Sequence, residues 1–144
     1  MTDNEYCYAV DTLVRICLDE AFSFLSNPEC LGKWSLGCFN TSLDENRGVC
    51  VGYSLFSGKS TEVRIVPDTD NFRILFLLEH EGNWIPRITI ELKNGGQFGY
   101  ETGSTIITMS AWRTAWMEDR DWNRLKKCHD VEIILIKEQL ERTG

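Results

Sequence analysis

The character of this sequence changes near residue 118, and this change restricts the possible folds more than any other feature. Upstream, short runs rich in β-branched and aromatic residues alternate with breaks that contain Gly, Pro, Asn or Asp, which is the pattern of strands joined by turns. Downstream, about residues 118–141 contain no Gly or Pro, and Glu, Lys, Arg, Leu and Ile dominate. Such a segment predicts one long helix, and its wide apolar arc predicts that much of its circumference is covered.

Short turns between consecutive strands favour antiparallel pairing, and helices must then cover one face of the sheet. The sequence therefore predicts an α+β fold in which a curved antiparallel sheet of about seven strands wraps around the C-terminal helix. No linker or repeat interrupts residues 1–144, so we expect a single domain. The predicted elements are a strand in Tyr6–Cys17, short helices in Asp19–Leu25 and Pro28–Leu31, strands in Cys38–Asp44, Val49–Phe56, Thr61–Val66, Phe72–His80, Arg87–Lys93 and Ser104–Arg113, and the helix in Glu118–Glu141.

The composition argues against several classes of protein. A net charge of −7 disfavours nucleic-acid binding, which needs clusters of Lys and Arg, and no run approaches the roughly 20 apolar residues of a membrane span. The six cysteines show no C-x-x-C spacing, and His80 and His129 lack metal-ligand spacing, so we expect reduced thiols and neither metal nor cofactor. Because Met1–Glu5 is acidic and polar rather than basic and then apolar, we expect a cytoplasmic protein.

Three segments carry a resemblance to a known family. They are Ala21–Glu29, which reads AFSFLSNPE, then Leu31–Trp34, and Trp112-Arg113 shortly before the long helix. In these segments and in the order of its elements, the chain resembles the START-like SRPBCC superfamily, especially its polyketide cyclase/dehydrase and lipid-transport branch. The resemblance implies a helix-grip fold with a deep hydrophobic pocket. It implies no single activity, because the relatives include lipid carriers, hormone-binding proteins, cyclases and chaperone cofactors.

His129 and Glu132 are the weak candidates for catalysis. Their i, i+3 spacing places them on one helical face with Leu125 and Ile136, so both can meet the pocket interior. A carboxylate beside an imidazole is expected to raise the imidazole pKa and to provide a general acid or base near neutral pH. The alternative, which we favour, is a structural pair or a solvated face.

Two arginines lie in strands whose alternate residues are apolar. By the period of two, Arg87 and Arg113 are expected to face away from those apolar residues. Arg87, Thr89 and Glu91 then form either an outer solvated row, which we favour, or a polar lining of the pocket.

The aromatic residues supply the remaining ligand-binding candidates. The resemblance implies that the loops Phe56–Ser60, Glu81–Pro86 and Thr114–Asp119 form the pocket mouth, although each ring could instead fill the core. Other tryptophans fit the core better, or could line the pocket floor. The full set of candidates is Trp34, Phe56, Trp84, Trp112, Trp116, Met117, Trp122, Leu125 and His129.

The functional expectation is a START-like carrier or sensor that binds a small hydrophobic molecule, lipid-like or polyketide-like, without covalent chemistry. The alternative is a polyketide cyclase/dehydrase-type enzyme that positions a poly-keto or related apolar substrate and assists with mild acid/base catalysis. Phe98 and Tyr100, in a Gly-rich loop at the opposite end of the strands, could pack on the sheet or on a second subunit, which leaves a homodimer open.

Overall fold

The computed structural model describes residues 5–143, so most of the N-terminal segment on which the cytoplasmic expectation rests lies outside the described residues. Within that range, no helix is long and apolar enough to cross a membrane. The elements are β1 (Cys7–Val14), α1 (Leu18–Ser26), α2 (Pro28–Leu31), β2 (Phe39–Asp44), β3 (Val49–Tyr53), β4 (Ser60–Asp68), β5 (Arg73–His80), β6 (Asn83–Asn94), a 3-10 turn (Gly95–Phe98), β7 (Thr105–Trp112) and α3 (Asp119–Thr143).

The strands form one antiparallel sheet in the order β1-β7-β6-β5-β4-β3-β2. Strands β2 to β7 pair with their neighbours in sequence, and β1 adds to the free edge of β7. The two short helices connect β1 to β2, which lie at opposite edges of the sheet. The predicted α+β helix-grip architecture, with its curved sheet, two short helices and long C-terminal helix, is therefore confirmed.

One face of the sheet is the core. On this concave face, alternate residues of the central strands are buried to 2% exposure or less, among them Phe76, Ile90 and Met109. Ile136 and Leu140 of α3 and Leu25 of α1 complete the same cluster, with 0–2% of their surface exposed. Burial of alternate residues is the physical basis of the period-two signal in the sequence.

Strand β6 begins earlier than the sequence indicates. The segment Glu81–Pro86 was expected to be a loop, but Glu81 and Gly82 both have positive φ, 50° and 83°, and form a tight hairpin turn. Residues 83–86 therefore pair with β5, beyond the point where β7 ends. Pro86 is tolerated there because its missing N–H would face no neighbouring strand, and a bulge follows at Phe76/Leu77.

The α2 turn is fixed to β2 at Gly32. The Gly32 N–H donates to Thr41 Oγ1 over 2.8 Å, and this hydroxyl donates to Pro28 O over 2.9 Å. The two backbones approach so closely that a Cβ on Gly32 would overlap the backbone nitrogens of Asn40 and Thr41.

We therefore expect Gly32→Ala to lower the free energy of unfolding by about 1–3 kcal/mol, as overpacking does elsewhere. Gly37→Ala is the matched control, because a Cβ at Gly37 meets nothing within 4 Å, and its change should stay within about 0.5 kcal/mol. Urea denaturation of both variants measures the difference. Equal stability of the two would contradict the close approach.

Candidate functional site

A cavity of about 220 Å³ lies between the concave face of the sheet and α3. Its walls come from β4, β5 and β6, from the segment between α2 and β2, from the β3–β4 turn and from α3. Most of the lining is apolar. The lining residues are Ser35, Gly37, Cys38, Ser54, Phe56, Thr61, Val63, Leu78, Ile88, Met117, Asp121, Arg124, Leu125, Cys128, His129 and Glu132.

The mouth of the cavity lies between the β3–β4 turn and the first turns of α3. Phe56 is 48% exposed, and the Arg124 guanidinium carbon lies 4.9 Å from the centroid of its ring. Asp121 lies 3.8 Å from the same guanidinium group, so this side of the mouth carries both charges. Arg87 reaches Met117 from the β6 bulge, with Nη2 3.7 Å from the sulfur. Charged groups of α3 thus border one side of the entrance to an apolar interior.

His129 and Glu132 are the buried polar side chains of the interior. They are 1% and 5% exposed, and His129 Nε2 lies 3.9 Å from Glu132 Oε1, which is too far for a hydrogen bond. Glu132 Oε2 accepts a hydrogen bond from the Leu36 N–H over 2.8 Å. His129 Nδ1 is buried without a hydrogen-bond partner in the described part of the chain. Both residues line the cavity, which agrees with the spacing argument.

The charge state of this pair differs from the sequence-based expectation. Burial lowers the pKa of His129 from 6.5 to about 4, whereas the neighbouring carboxylate was expected to raise it. Burial also raises the pKa of Glu132 from 4.5 to about 7, against the lowering effect of the Leu36 hydrogen bond. Desolvation dominates because both groups lie in a low-dielectric environment that disfavours the charged forms. At neutral pH the imidazole is uncharged, so the pair is not an ion pair.

The structure separates the predicted ligand-binding residues into two sets. Phe56, Met117, Leu125 and His129 line the cavity. The remaining five do not, although they were predicted to border or floor the pocket: Trp34, Trp84, Trp112, Trp116 and Trp122.

Two of these tryptophans lie on the convex face of the sheet, which corrects their expected placement. Trp84 pairs with Glu79 within the β5–β6 hairpin and packs under Arg64, whose guanidinium carbon is 4.3 Å from the ring centroid. Trp112 is 45% exposed and donates its Nε1–H to Thr89 Oγ1 over 3.1 Å, so it is not a core residue. Period-two alternation turns both side chains away from the cavity.

The other three tryptophans occupy different positions. Trp34 is buried in the core and makes an edge contact with Phe76, with centroids 5.7 Å apart. Trp122 is buried on α3 and donates its Nε1–H to Glu5 over 2.7 Å. Trp116 is exposed and stacks on His80, with centroids 4.1 Å apart. Packing, rather than lining of the cavity, accounts for these three rings.

Sequence reasoning missed most of the sheet wall of the cavity, including Val63, Leu78 and Ile88. The alternation of each strand was visible, but it does not reveal which face is concave. Two cysteines are also part of the lining, and burial raises the pKa of Cys38 to about 12 and shifts that of Cys128 upward as well. Both are therefore thiols at neutral pH and not nucleophilic thiolates. In residues 5–143, no cluster of three or more His, Cys, Asp or Glu side chains could hold a metal ion.

Known structures with this architecture identify the fold. The chain superposes with a TM-score of 0.67 on BexL, a di-domain ARO/CYC protein from the BE-7585A biosynthetic pathway, at 16% identity over 95% of this chain and 47% of BexL. It also matches a START superfamily protein from Mycobacterium smegmatis, with a TM-score of 0.63, 10% identity and coverage of 97% and 100%. This chain has the START-like SRPBCC fold.

A third similar structure is the Aha1 dimer from Colwellia psychrerythraea, with a TM-score of 0.66 and 14% identity over 95% of this chain and 97% of that one. No family model and no curated protein sequence matches the chain. The chain spans about half the length of the di-domain ARO/CYC proteins. At identities of 10–16%, the similarity to these structures supports a shared fold but does not assign an activity to this chain.

The opposite pKa shifts of His129 and Glu132 predict opposite pH dependences. The folded state disfavours protonation of His129. The contribution of the neutral imidazole to the free energy of unfolding is therefore lost as pH falls from about 6.5 to about 4. Glu132 keeps its proton in the folded state, so its contribution is lost as pH rises from about 4.5 to about 7. In the overlapping range the two cancel, because the folded protein carries one proton on Glu132 and the unfolded chain carries one on His129.

A single substitution at either residue removes one of the two opposing pH dependences, so the other becomes measurable. Relative to the wild type, Glu132→Gln should lose stability as pH falls through the overlap, and His129→Gln should lose it as pH rises, each by on the order of 1.4 kcal/mol per pH unit. Urea denaturation across a pH series measures the slopes. Glu138→Gln, at an exposed carboxylate of the same helix, is the control and should follow the wild type. Parallel profiles for all variants would show that the pair is not buried in neutral form.

Proposed function

We propose that the protein binds a small, largely apolar molecule in the cavity between the sheet and α3, as a carrier or sensor that performs no covalent chemistry. The observation that carries this proposal is the cavity itself, which is apolar along most of its wall and has a charged rim. Sites of this composition bind through apolar burial, while a few polar groups fix the orientation of the ligand. The similarity to a START superfamily protein and to ARO/CYC proteins supports the same class of function.

The size of the cavity narrows the class of ligand. Its volume of about 220 Å³ lies between the roughly 150 Å³ that holds a benzene molecule and the roughly 300 Å³ at which pockets for drug-sized ligands begin. A ligand of one or two rings fits this space, whereas a long acyl tail or a full poly-keto chain does not. Of the lipid-like and polyketide-like ligands expected from the sequence, we therefore propose the short ones.

Apolar burial alone gives useful affinity for such a ligand. Burying a ring of roughly 150–250 Å² contributes about 4–6 kcal/mol at 25 cal/mol per Å². The loss of translational and rotational freedom offsets part of this gain. We therefore expect a dissociation constant near or below about a millimolar for a one-ring probe, which NMR titration detects.

A cavity-filling substitution tests the proposal with toluene as the probe. We expect the wild type to bind toluene and Leu125→Phe to weaken binding at least about tenfold, because the larger ring occupies the cavity. The matched control is Ile134→Phe, which adds the same ring to the same helix at a position that is 58% exposed. Protein-observed NMR titration gives both dissociation constants. Failure of the wild type to bind toluene, or equal weakening by both substitutions, would overturn the proposal.

A second candidate function is acid/base catalysis of the cyclase/dehydrase type. The observation that favours it is the convergence of His129 and Glu132 in the interior, where a carboxylic acid with a pKa of about 7 can donate a proton near neutral pH. In a dehydration, the uncharged imidazole would take a proton from the carbon next to a ketone. Glu132 would protonate the departing hydroxyl, which leaves as water.

The aldol adduct of benzaldehyde and acetone is a suitable test substrate, since its dehydration gives an enone that absorbs in the ultraviolet. If the protein is an enzyme of this type, the reaction should be faster with the wild type than in buffer alone. Glu132→Gln should abolish most of this acceleration, because it removes the acid. Glu138→Gln, the same change at an exposed carboxylate of the same helix, should retain it. A wild-type rate equal to the rate in buffer would exclude catalysis for this substrate class and would leave the proposed binding function unaffected.

Two further expectations stay predictions. One is a cytoplasmic location. The other is self-association through the Gly-rich loop, where Phe98 and Tyr100 are 58% and 55% exposed. The Aha1 structure of similar fold is a dimer, which agrees with this second expectation.

A further inference from the structure

The interior of the cavity contains a polar pair whose hydrogen bonds are incomplete. His129 is 1% exposed, and its Nδ1 has no hydrogen-bond partner in the described part of the chain. Its Nε2 lies 3.9 Å from Glu132 Oε1, beyond hydrogen-bond range, while Glu132 Oε2 is held by the Leu36 N–H. Buried polar atoms in native proteins are nearly always paired, so an unpaired one calls for a specific explanation.

A bound molecule can supply a partner to Nε2, which makes no hydrogen bond within residues 5–143, whereas Nδ1 is enclosed by protein atoms and is not reached from the cavity. His129 lines the cavity, so a group of the ligand can approach the imidazole from the open space. The uncharged ring has one nitrogen that accepts a hydrogen bond and one that donates. Whichever role Nε2 takes, a hydroxyl group suits it, because a hydroxyl both donates and accepts. A charged ammonium or carboxylate group fits less well, because it would lose its hydration on entering the apolar interior.

We propose that the ligand of this cavity is an uncharged alcohol or phenol of one or two rings, whose hydroxyl hydrogen-bonds to the imidazole of His129. This inference rests on the proposed binding function and adds to it the chemical class of the ligand. Glu132 lies beside the imidazole on the same face of α3, but its carboxyl group is held by the Leu36 N–H and makes no hydrogen bond to His129. The apolar wall supplies affinity, and His129 supplies selectivity for the hydroxyl.

Two probes of nearly equal shape test the proposal. p-Cresol carries a hydroxyl where p-xylene carries a methyl group, so the ratio of their dissociation constants reports the hydroxyl contact. The two molecules lose hydration to different extents, but this difference is the same for every variant and cancels when ratios are compared. We expect His129→Leu to shift the ratio about tenfold towards p-xylene, the equivalent of one net hydrogen bond.

The matched control is His80→Leu, which makes the same substitution at the histidine outside the cavity lining and should leave the ratio unchanged. A second measurement uses the wild type alone, so the test remains valid if the His129 variant misfolds. The imidazole nitrogen chemical shifts of His129 should move on addition of p-cresol and stay in place on addition of p-xylene. His80, outside the cavity lining, is the internal reference in the same spectra.

The possible outcomes separate this inference from the binding function. If both probes bind and neither the ratio nor the imidazole shifts respond as described, the inference is overturned and the binding function stands. A ratio that His80→Leu changes as much as His129→Leu also overturns it, because the change then does not report a contact at His129. If neither probe binds the wild type, the binding function fails and the inference fails with it.

Discussion

The attachment of α3 to the edge strand β1 is the constraint on which the cavity depends. The ten residue steps from Glu5 to Arg15 span about 33 Å of extended chain, and the nineteen steps from Trp122 to Glu141 span about 28 Å of helix. The two segments can therefore run side by side over their length. Polar contacts then join them at successive positions. The joined pairs are Glu5 with Trp122 and Lys126, Tyr8 with Asp130, Leu13 with Lys137, and Arg15 with Glu141. Because these contacts hold α3 at one edge, the concave face of β4, β5 and β6 is left partly uncovered, and that uncovered surface is the cavity wall.

The same attachment explains why a costly polar pair is buried. With the edge contacts fixing the helix, the face that carries His129 and Glu132 must point into the space over the sheet. A pair of hydrophobic residues at these positions would often be as stable or more stable, since burying polar groups costs free energy that imperfect hydrogen bonds do not recover. Glu132 recovers part of this cost through the Leu36 N–H, and His129 does not. Nε2 also makes no hydrogen bond within the described part of the chain, and a ligand bonded to it would recover part of this cost, which is the reason to propose a ligand-binding role for His129.

Much of the architecture could be predicted from the sequence, whereas the wall of the site could not. The element order follows from turn residues and from the Gly- and Pro-free final segment. The helical spacing of Leu125, His129 and Glu132 allowed a position at the cavity, although a structural pair or a solvated face was favoured for the last two. Trp84 and Trp112 were misplaced because alternation defines two faces of a strand without stating which is concave. The sequence also assigns the first four residues of β6 to a loop, because the turn residues Glu81 and Gly82 resemble those of a longer loop.

The pKa of His129 shows a different limit of sequence reasoning. Proximity to a carboxylate raises an imidazole pKa only if the carboxylate is charged, and burial keeps Glu132 protonated up to a pKa of about 7. The sequence gives the spacing of the two groups and not their solvation, so it predicts the wrong direction. Between about pH 4 and pH 7 both groups are predominantly neutral, so the interior then contains no formal charge, and the nearby charges of Asp121 and Arg124 lie at the mouth. Such an interior agrees with the uncharged ligand that we propose, whose polar group would lie towards α3 and whose apolar body would lie against the sheet.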